Sequence, residues 1–250
     1  MDPLVVASDF TRIDFQRIPR RIRPVMIDRT ARTELSEAIS AYLNDGLTAF
    51  EFDEAISEIA MRTKDATVEH MRRELWCFYD DCKDHPVVLT KQEWDYFQRL
   101  RLILDAGLEL NVEQQRESWT ILNKVAAGAV ASFCLLLWGF DLSYCLLVVP
   151  FGIVSMLLAG LRRRNAVHPG KAEIALLPFE SFGQIRQALV STSQFRKQRY
   201  RSALAERKIR NAVESAFLAV QRHVAWLLAA PLVLAFQAIP DVGTKGRVTV

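Results

Sequence analysis

The longest apolar stretch of the chain lies between Lys124 and Arg162, where 37 residues contain a single charged side chain, Asp141. A membrane-spanning helix needs ~20 apolar residues, so this stretch is too long for one span and has the length of two. Gly, Asp and Ser within residues 139–143 favour a turn. The pattern therefore predicts a transmembrane hairpin in residues 111–161, with spans at about 119–140 and 142–161.

Basic residues flank the hairpin on both sides and are absent from its turn. Arg162, Arg163 and Arg164 follow the second span, and Lys124 lies near the start of the first. The positive-inside rule then predicts a multi-pass membrane protein with both flanks in the cytoplasm. The alternative is a hairpin buried in a soluble core, but a hairpin that is apolar on every face needs protein on every side.

Asp141 has two interpretations. In a turn between two full spans it lies at the wet membrane surface. If the hairpin instead dips into the bilayer and returns without crossing, Asp141 lies within the membrane, where an acid is a functional candidate.

A second apolar stretch, residues 224–236, contains Pro231 and is short for a span. We expect it to form a helix on or against the membrane, and a third span is the alternative.

Residues 30–110 show the apolar spacing of amphipathic helices. Capping-box patterns begin at Thr48 and Thr90, and Gly107 lies where a helix should end. We predict four helices at about 34–44, 49–62, 66–84 and 91–105, and a fifth that begins near Val112 and continues into the membrane. The fold class is therefore an all-α membrane protein with a small helical head, a two-helix hairpin and an amphipathic C-terminal helix.

Each predicted head helix has one apolar face, and four such faces can close a small core. The faces comprise Leu35, Ala38, Ile39 and Tyr42; Phe52, Ala55, Ile56 and Ile59; Val68, Met71, Leu75, Phe78 and Cys82; and Trp94, Phe97, Leu100 and Leu104.

Charge is segregated along the chain, although the whole carries only +3. Residues 1–33 hold seven Arg against four Asp, residues 34–85 hold thirteen Asp and Glu against five Lys and Arg, and residues 162–210 hold twelve Lys and Arg against three Glu. Such asymmetry bears on partners rather than on fold. The predicted domains are a basic extended arm (1–29), an acidic helical cytoplasmic domain (30–110), the transmembrane hairpin (111–161) and a basic juxtamembrane region with a long amphipathic or interfacial helix (162–250).

The basic juxtamembrane region predicts binding to the bilayer through anionic lipid headgroups. Just before its densest part, Phe182, Ile185 and Leu189 form one face of a short amphipathic helix. Nucleic acid is the other partner for such a run, but a neighbouring membrane span makes it the weaker prediction. The acidic block can also dock on a basic block of the same chain. The candidate lipid- or anion-binding residues are Arg162, Arg163, Arg164, Arg196, Lys197, Arg199, Arg201, Arg207, Lys208 and Arg210.

One helix stripe contains residue types that bind metals. On a helix over 66–84, His70, Glu74, Cys77 and Asp81 share one face, and imidazole, thiolate and carboxylate ligands suit zinc or iron. The spacing matches no established metal motif, and an acidic surface that faces solvent accounts for the same residues. We therefore keep the metal site as the weaker interpretation and predict no cofactor.

No motif for phosphate binding, serine hydrolysis, zinc proteolysis or thiol redox chemistry occurs in the chain, which disfavours an enzyme. The leading interpretation is a membrane-anchored, non-catalytic module that binds another protein, or senses, through its acidic head at the cytoplasmic leaflet. The second is an oligomeric membrane effector or channel gated by the head. Small residues on both spans (Ala127, Gly128, Ala131, Ser132, Gly152, Ser155 and Ala159) would let copies pack as a homo-oligomer. The third is a metal-dependent enzyme on the acidic helix.

Overall fold

Helices dominate the computed structural model, in agreement with the predicted class. Two strands that the sequence analysis does not predict, β1 and β2, pair in a two-stranded sheet. The structure describes residues 26–80, 82–116, 119–139, 145–165, 171–192, 195–240 and 242–249. Asp81, Asp141, the basic arm before residue 26 and the turn of the predicted hairpin lie outside these ranges.

The elements follow the chain in this order: α1 (Arg29–Leu43), α2 (Ala49–Arg62), α3 (Ala66–Trp76), α4 (Lys91–Asp105), β1 (Glu109–Arg116), α5 (Ile121–Gly139), α6 (Cys145–Asn165), α7 (Lys171–Leu176), α8 (Phe182–Ser191), a short 3-10 helix (Ser202–Glu206), α9 (Ala212–Leu228), α10 (Ala230–Ala238) and β2 (Val242–Thr249).

The chain forms two compact units. One, here called the head unit, comprises the described residues within 1–113, 169–209 and 246–250. The other, here called the apolar unit, comprises the described residues within 114–168 and 210–245. Residues 162–250, which the sequence analysis treats as one region, are thus divided between both units.

Local sequence determines the helices of the head unit. Capping boxes start α2 at Thr48 and α4 at Thr90, where each threonine hydroxyl accepts from the backbone of a glutamate three residues on and that glutamate accepts from the threonine backbone. Gly107 ends α4 with a positive φ of 66°. The amides of Gly107 and Leu108 donate to the carbonyls of Leu104 and Ile103, an arrangement that favours glycine.

The four predicted apolar faces close one core, apart from Ala55, which lines a surface groove, and Cys82. Helix α1 packs against α2, α3 and α4. Tyr42 stacks on Phe52 with ring centroids 4.4 Å apart, and Phe97 contacts both rings. Phe179 and Ala188, from residues far along the chain, are buried in the same core. The head is therefore completed by a segment that follows the predicted hairpin.

Several predicted helix boundaries are wrong. Helix α1 begins at Arg29, where Asp28 caps it, and not at residue 34. The predicted helix over 224–236 is divided between α9 and α10 by a break at Ala229.

Helix α3 ends at Trp76 and not at residue 84, so Cys82 is exposed and does not join the core. After Trp76 the chain leaves the helix in a turn, within which the Asp80 amide donates to His85 Nε2 at 3.1 Å. Residues 109–116 form β1, which pairs with the distant strand β2, so no helix begins near Val112.

Four helices build the apolar unit. Helix α10 packs against α5 and α6, α5 against α6, and α9 against α6. A sharp bend of 74° separates α9 from α10. Among the described residues no single helix combines the length and apolar character needed to cross a membrane, whereas α9 and α10 together meet that requirement as a bent pair.

Candidate functional site

Residues 195–207, which are extended up to Arg201 and then form the short 3-10 helix, lie on the surface of the head and are called here the docked segment. Backbone and side-chain groups of Gln198 bind three head residues. Trp94 Nε1 donates to the Gln198 carbonyl at 3.2 Å, the Gln198 amide donates to Gln98 Oε1 at 3.1 Å, and Gln198 Nε2 donates to Ser40 Oγ at 2.7 Å. Tyr200 packs edge-on against Trp94 and donates its hydroxyl to the Leu89 carbonyl at 3.1 Å.

Cations of the docked segment pair with carboxylates of the head. Arg207 donates to both oxygens of Asp45 at 2.6 and 3.0 Å, and Arg201 Nη2 lies 2.9 Å from Asp45 Oδ2. Lys197 Nζ lies 2.7 Å from Asp95 Oδ1. The hydrogen bonds from Arg207, together with the charge of Arg201, hold the pKa of Asp45 below its ordinary value. Part of the basic block therefore docks on the acidic block of the same chain, an alternative that the sequence left open.

The remaining candidate anion-binding residues occupy different places. Arg196, Arg199 and Lys208 are exposed on the head unit, and Arg163 and Arg164 are exposed at the end of α6. Arg162 is half-buried and donates to the Gln237 carbonyl. Arg210 is half-buried at the start of the C-terminal part of the apolar unit. The ten cations do not form one cluster: three contact head carboxylates, and one caps α10.

Polar side chains lie inside the apolar unit. Asn123 Nδ2 donates to the carbonyls of Gln237 and Ile239 at 3.0 and 2.9 Å, which satisfies the end of α10. Trp226 Nε1 donates to Ser155 Oγ at 3.0 Å, and Gln237 Nε2 donates to the Ser155 carbonyl at 3.1 Å. The sequence analysis did not single out these bonds as a site, although isolated Asn, Ser and Gln in apolar stretches are the feature that would have indicated them.

The interior of the apolar unit holds buried apolar residues, among them Ala126, Leu158 and Leu234, together with the buried polar residues Asn123, Ser155 and Gln237. Large apolar side chains are exposed on all four helices, including Leu135 at 75% and Leu157 at 62%, whereas Ser155 is fully buried. The exposed apolar residues of this unit are Trp119, Ile121, Val125, Leu135, Leu137, Val149, Ile153, Leu157, Leu161, Val213, Phe217, Leu218, Val220, Val224, Leu228, Leu232, Phe236 and Ile239. Patches of this extent mark a surface that contacts a membrane or another protein.

A buried ion pair fixes one end of the head. Arg32 Nε and Nη2 donate to Asp65 at 2.6 and 3.1 Å, and Arg32 Nη1 donates to the Leu108 carbonyl at 2.8 Å. Burial by itself raises the pKa of Asp65, but the hydrogen bonds from Arg32 and from the Asp28 amide outweigh it and lower the pKa. Asp65 also caps α3 through the Thr67 amide. These contacts position the helices and leave no free group for chemistry.

Of the four proposed metal ligands, the described structure places only His70 and Glu74 within helix α3. Because α3 ends at Trp76, Cys77 is only its C-terminal cap, and Asp81 lies outside the described residues. His70 Nε2 lies 3.4 Å from Glu74 Oε1. Burial and, to a smaller extent, the charge of Arg73 together lower the pKa of His70 to about 4, so the imidazole is neutral at physiological pH. No group of three potential ligands gathers within the described part of the chain.

A shallow groove runs between α1 and α2 on the head. Its floor is formed by Ala38, Ala41, Ala55 and Ile59, and its rim carries Glu34, Glu37, Glu58 and Arg62. Arg62 pairs with Glu34 at 3.0 Å and lies 3.8 Å from Glu58. Three carboxylates face one cation there, so the groove presents a net negative surface to solvent.

Comparison with known proteins does not assign the chain to a family. No protein-family model matches the chain, and neither curated proteins nor solved structures give a match.

Proposed function

We propose that the chain is a membrane-anchored, non-catalytic binding module whose apolar unit lies in the bilayer and whose acidic head binds protein segments at the cytoplasmic leaflet. The observation that carries this proposal is the extent of exposed apolar surface on the apolar unit, whose interior holds polar as well as apolar side chains. Asn123, Ser155 and Gln237 are buried, while leucine, valine and phenylalanine side chains face outward. In water this arrangement is unfavourable, because exposed apolar area costs ~25 cal/mol per Å².

A bilayer makes the same arrangement favourable. Lipid accepts outward apolar side chains, and hydrogen bonds between helices then hold the unit together. Helix α5 contains 19 residues, and α6 contains 21, of which the last four (162–165) are polar. At ~1.5 Å per residue the remaining lengths are about 28 and 26 Å, slightly short of the ~30 Å hydrocarbon thickness. Asn123 at the start of α5 and Arg162 at the end of α6 both bind the Gln237 carbonyl. We infer that both flanks of the hairpin lie on one side, which the three arginines identify as the cytoplasm.

The bent pair α9–α10 fits a re-entrant hairpin better than a third span. The chain enters α9 from residue 209 of the head unit and returns to that unit at residue 246. Helix α10 has nine residues, about 14 Å at ~1.5 Å per residue, which is half of the hydrocarbon thickness. Asn123 and Arg162 hold its end next to the flanks of α5 and α6.

The head supplies the binding function in this proposal. Its surface holds an extended segment with basic and aromatic side chains through Trp94, Ser40, Asp45 and Asp95. The acidic groove between α1 and α2 offers a second surface of the same charge. Pairing of arginine with acidic groups is a recurring mode of peptide recognition, and here the carboxylates lie on the head and the arginines on the segment.

Topology labelling tests the anchored part of the proposal. The four native cysteines are replaced by serine, and Trp119→Cys or Arg164→Cys introduces a single thiol at either flank of the hairpin. We expect a membrane-impermeant maleimide to label both positions only after expressing cells are permeabilised. Labelling of one flank in intact cells and of the other only after permeabilisation would overturn the same-side topology.

A second candidate, an oligomeric effector, is favoured by one observation. Gly152 and Ser155 are buried against α9 and α10, whereas Gly128, Ala131 and Ser132 expose a small-residue face on α5. Such a face allows close approach of another helix in lipid. Ion flux from liposomes that contain the purified chain tests this candidate. Flux that Gly128→Leu abolishes supports an oligomeric channel, and absence of flux in every oligomeric state rejects it.

A further inference from the structure

Helix α8 of the head unit has two apolar faces, and only one of them is used for folding. Ala188 is buried in the head core and Ile185 packs against it. The opposite face carries Phe182 and Val190, which are 69% and 78% exposed, together with Leu189. The predicted apolar face of Phe182, Ile185 and Leu189 is therefore divided: Ile185 packs against the core, and Val190 joins the exposed face.

The exposed face is a regular feature of a well-formed helix. Phe182, Arg186, Leu189 and Val190 follow the i, i+4, i+7, i+8 spacing of one helical side. Ser181 caps the helix by accepting from the Gln184 amide at 3.3 Å. Leu177, just before the helix, is also exposed. Solvent-exposed apolar residues grouped on one side, rather than scattered singly, indicate a contact surface.

We propose that this face of α8 inserts into the interfacial region of an anionic bilayer, so that the head lies against the leaflet that anchors it. The proposal rests on the proposed membrane anchoring of the apolar unit. Arg186 lies within the apolar face, and an apolar stripe with an embedded arginine matches the boundary between acyl chains and anionic headgroups. Arg196 and Arg199, exposed on the docked segment, add positive charge to the same unit.

The size of the face favours lipid over a second protein. A ten-residue helix is about 15 Å long and exposes a strip of order 150 Å² at ~10 Å width. A stable protein interface buries ~800 Å² on each partner, so this strip is too small for one. Lipid needs no such minimum, because each side chain inserts separately and the anchor already holds the helix at the surface.

The test uses the full chain reconstituted in vesicles, either zwitterionic or containing anionic lipid. Native cysteines are replaced by serine, and a polarity-sensitive fluorophore is attached at Val190→Cys. Gln187→Cys is the matched control, because Gln187 is exposed on the same helix but lies away from the apolar face. Lipids that carry a quencher at shallow depth report insertion.

We expect quenching at position 190 to exceed that at 187 by roughly threefold in anionic vesicles, because interfacial helices bury their apolar face ~5–10 Å deep. Phe182→Ser should reduce the difference without affecting folding, since Phe182 is exposed. Equal quenching at both positions in vesicles from which the chain cannot be extracted overturns the α8 proposal and leaves the anchor intact. A chain that does not float with vesicles overturns the anchor itself. A blue shift that depends on protein concentration, and not on lipid, assigns the face to a second copy and also overturns the proposal.

Discussion

Arg207 donates two hydrogen bonds to the carboxylate of Asp45 across 162 residues of sequence. Arg201 binds the same carboxylate, and Arg207 also donates to the Val87 carbonyl at 3.1 Å. The contact joins the most acidic and the most basic blocks of the chain. It shows that part of the positive charge after the predicted hairpin has a partner within the head.

Loss of the Asp45 carboxylate should loosen the docked segment. We predict that Asp45→Asn weakens docking by about 1 kcal/mol, the upper range for a partly exposed ion pair, and therefore speeds tryptic cleavage within residues 195–207 by about fivefold. Limited proteolysis followed by mass spectrometry measures the rate. Glu54→Gln, which removes an exposed carboxylate elsewhere on the head, is the control and should leave the rate unchanged. Equal rates in Asp45→Asn and the unmodified chain would contradict the assigned pairing.

Docking should also depend on pH, in a direction that the pKa of Asp45 determines. Hydrogen bonds from Arg207 lower this pKa in the folded state, so the ionised carboxylate contributes stability above its unfolded pKa of about 3.9. That contribution is lost as the pH falls through the lowered folded value. Proteolysis by an acid-stable protease should accordingly accelerate below pH ~4 in the unmodified chain. In Asp45→Asn the part of the acceleration that comes from protonation of Asp45 should be missing. An identical pH profile in the two chains would contradict the pairing of Asp45 with Arg207.

The buried pair of Arg32 and Asp65 should dominate the stability of the head. Asp65→Asn retains an oxygen that can cap α3 but leaves Arg32 buried without a counter-charge, and we predict a loss of about 3–5 kcal/mol. Arg62→Met, which breaks an exposed pair with Glu34, is the matched control and should cost less than about 1 kcal/mol. Near-ultraviolet circular dichroism during urea unfolding measures both. Similar midpoints for the two variants would refute the structural role of the buried pair.

Gly152 should be essential for the packing of α9 on α6. A Cβ at this position would lie 2.5 Å from Leu227 Cδ2 and 3.3 Å from Leu227 Cα, so backbone as well as side chain must shift. We predict that Gly152→Val destabilises the apolar unit by about 1–3 kcal/mol, as overpacking does in other cores. Gly160→Ala is the control, because no atom lies within 4 Å of the added Cβ. Thermal aggregation in detergent should separate the two variants, and equal thresholds would contradict the close approach.

The sequence predicted those structural features that depend on residues close together in the chain. Helices α2 and α4 begin and end where predicted, because their capping boxes at Thr48 and Thr90 act within one turn. The apolar faces of α1, α2 and α4 also form the core as predicted. Helical spacing continued past Trp76, where the chain in fact leaves the helix in a turn. Local patterns could not show that residues 109–116 are a strand, because pairing with the distant β2 decides it.

Long-range pairings account for the rest of what the sequence missed. Nothing near Asp45 or Asp95 indicates that Arg207 and Lys197 bind them, since any exposed carboxylate of the acidic block would have served. The bonds of Asn123 to the end of α10 join residues 114 and 116 positions apart. Charge patterning indicated that basic residues after the hairpin can pair with acidic residues of the head. The fold determines which carboxylates they bind, namely Asp45 and Asp95.

The central claim is that the apolar unit faces lipid, and spin-label accessibility tests it most directly. Nitroxides at Leu135→Cys and Leu157→Cys report outward-facing positions of α5 and α6, and one at Arg164→Cys reports the exposed end of α6. In reconstituted vesicles we predict that oxygen, which concentrates in acyl chains, relaxes the labels at 135 and 157 strongly while a water-soluble nickel complex does not. Position 164 should show the opposite preference. Labels at 135 and 157 that the nickel complex relaxes as strongly as the one at 164 would contradict the account.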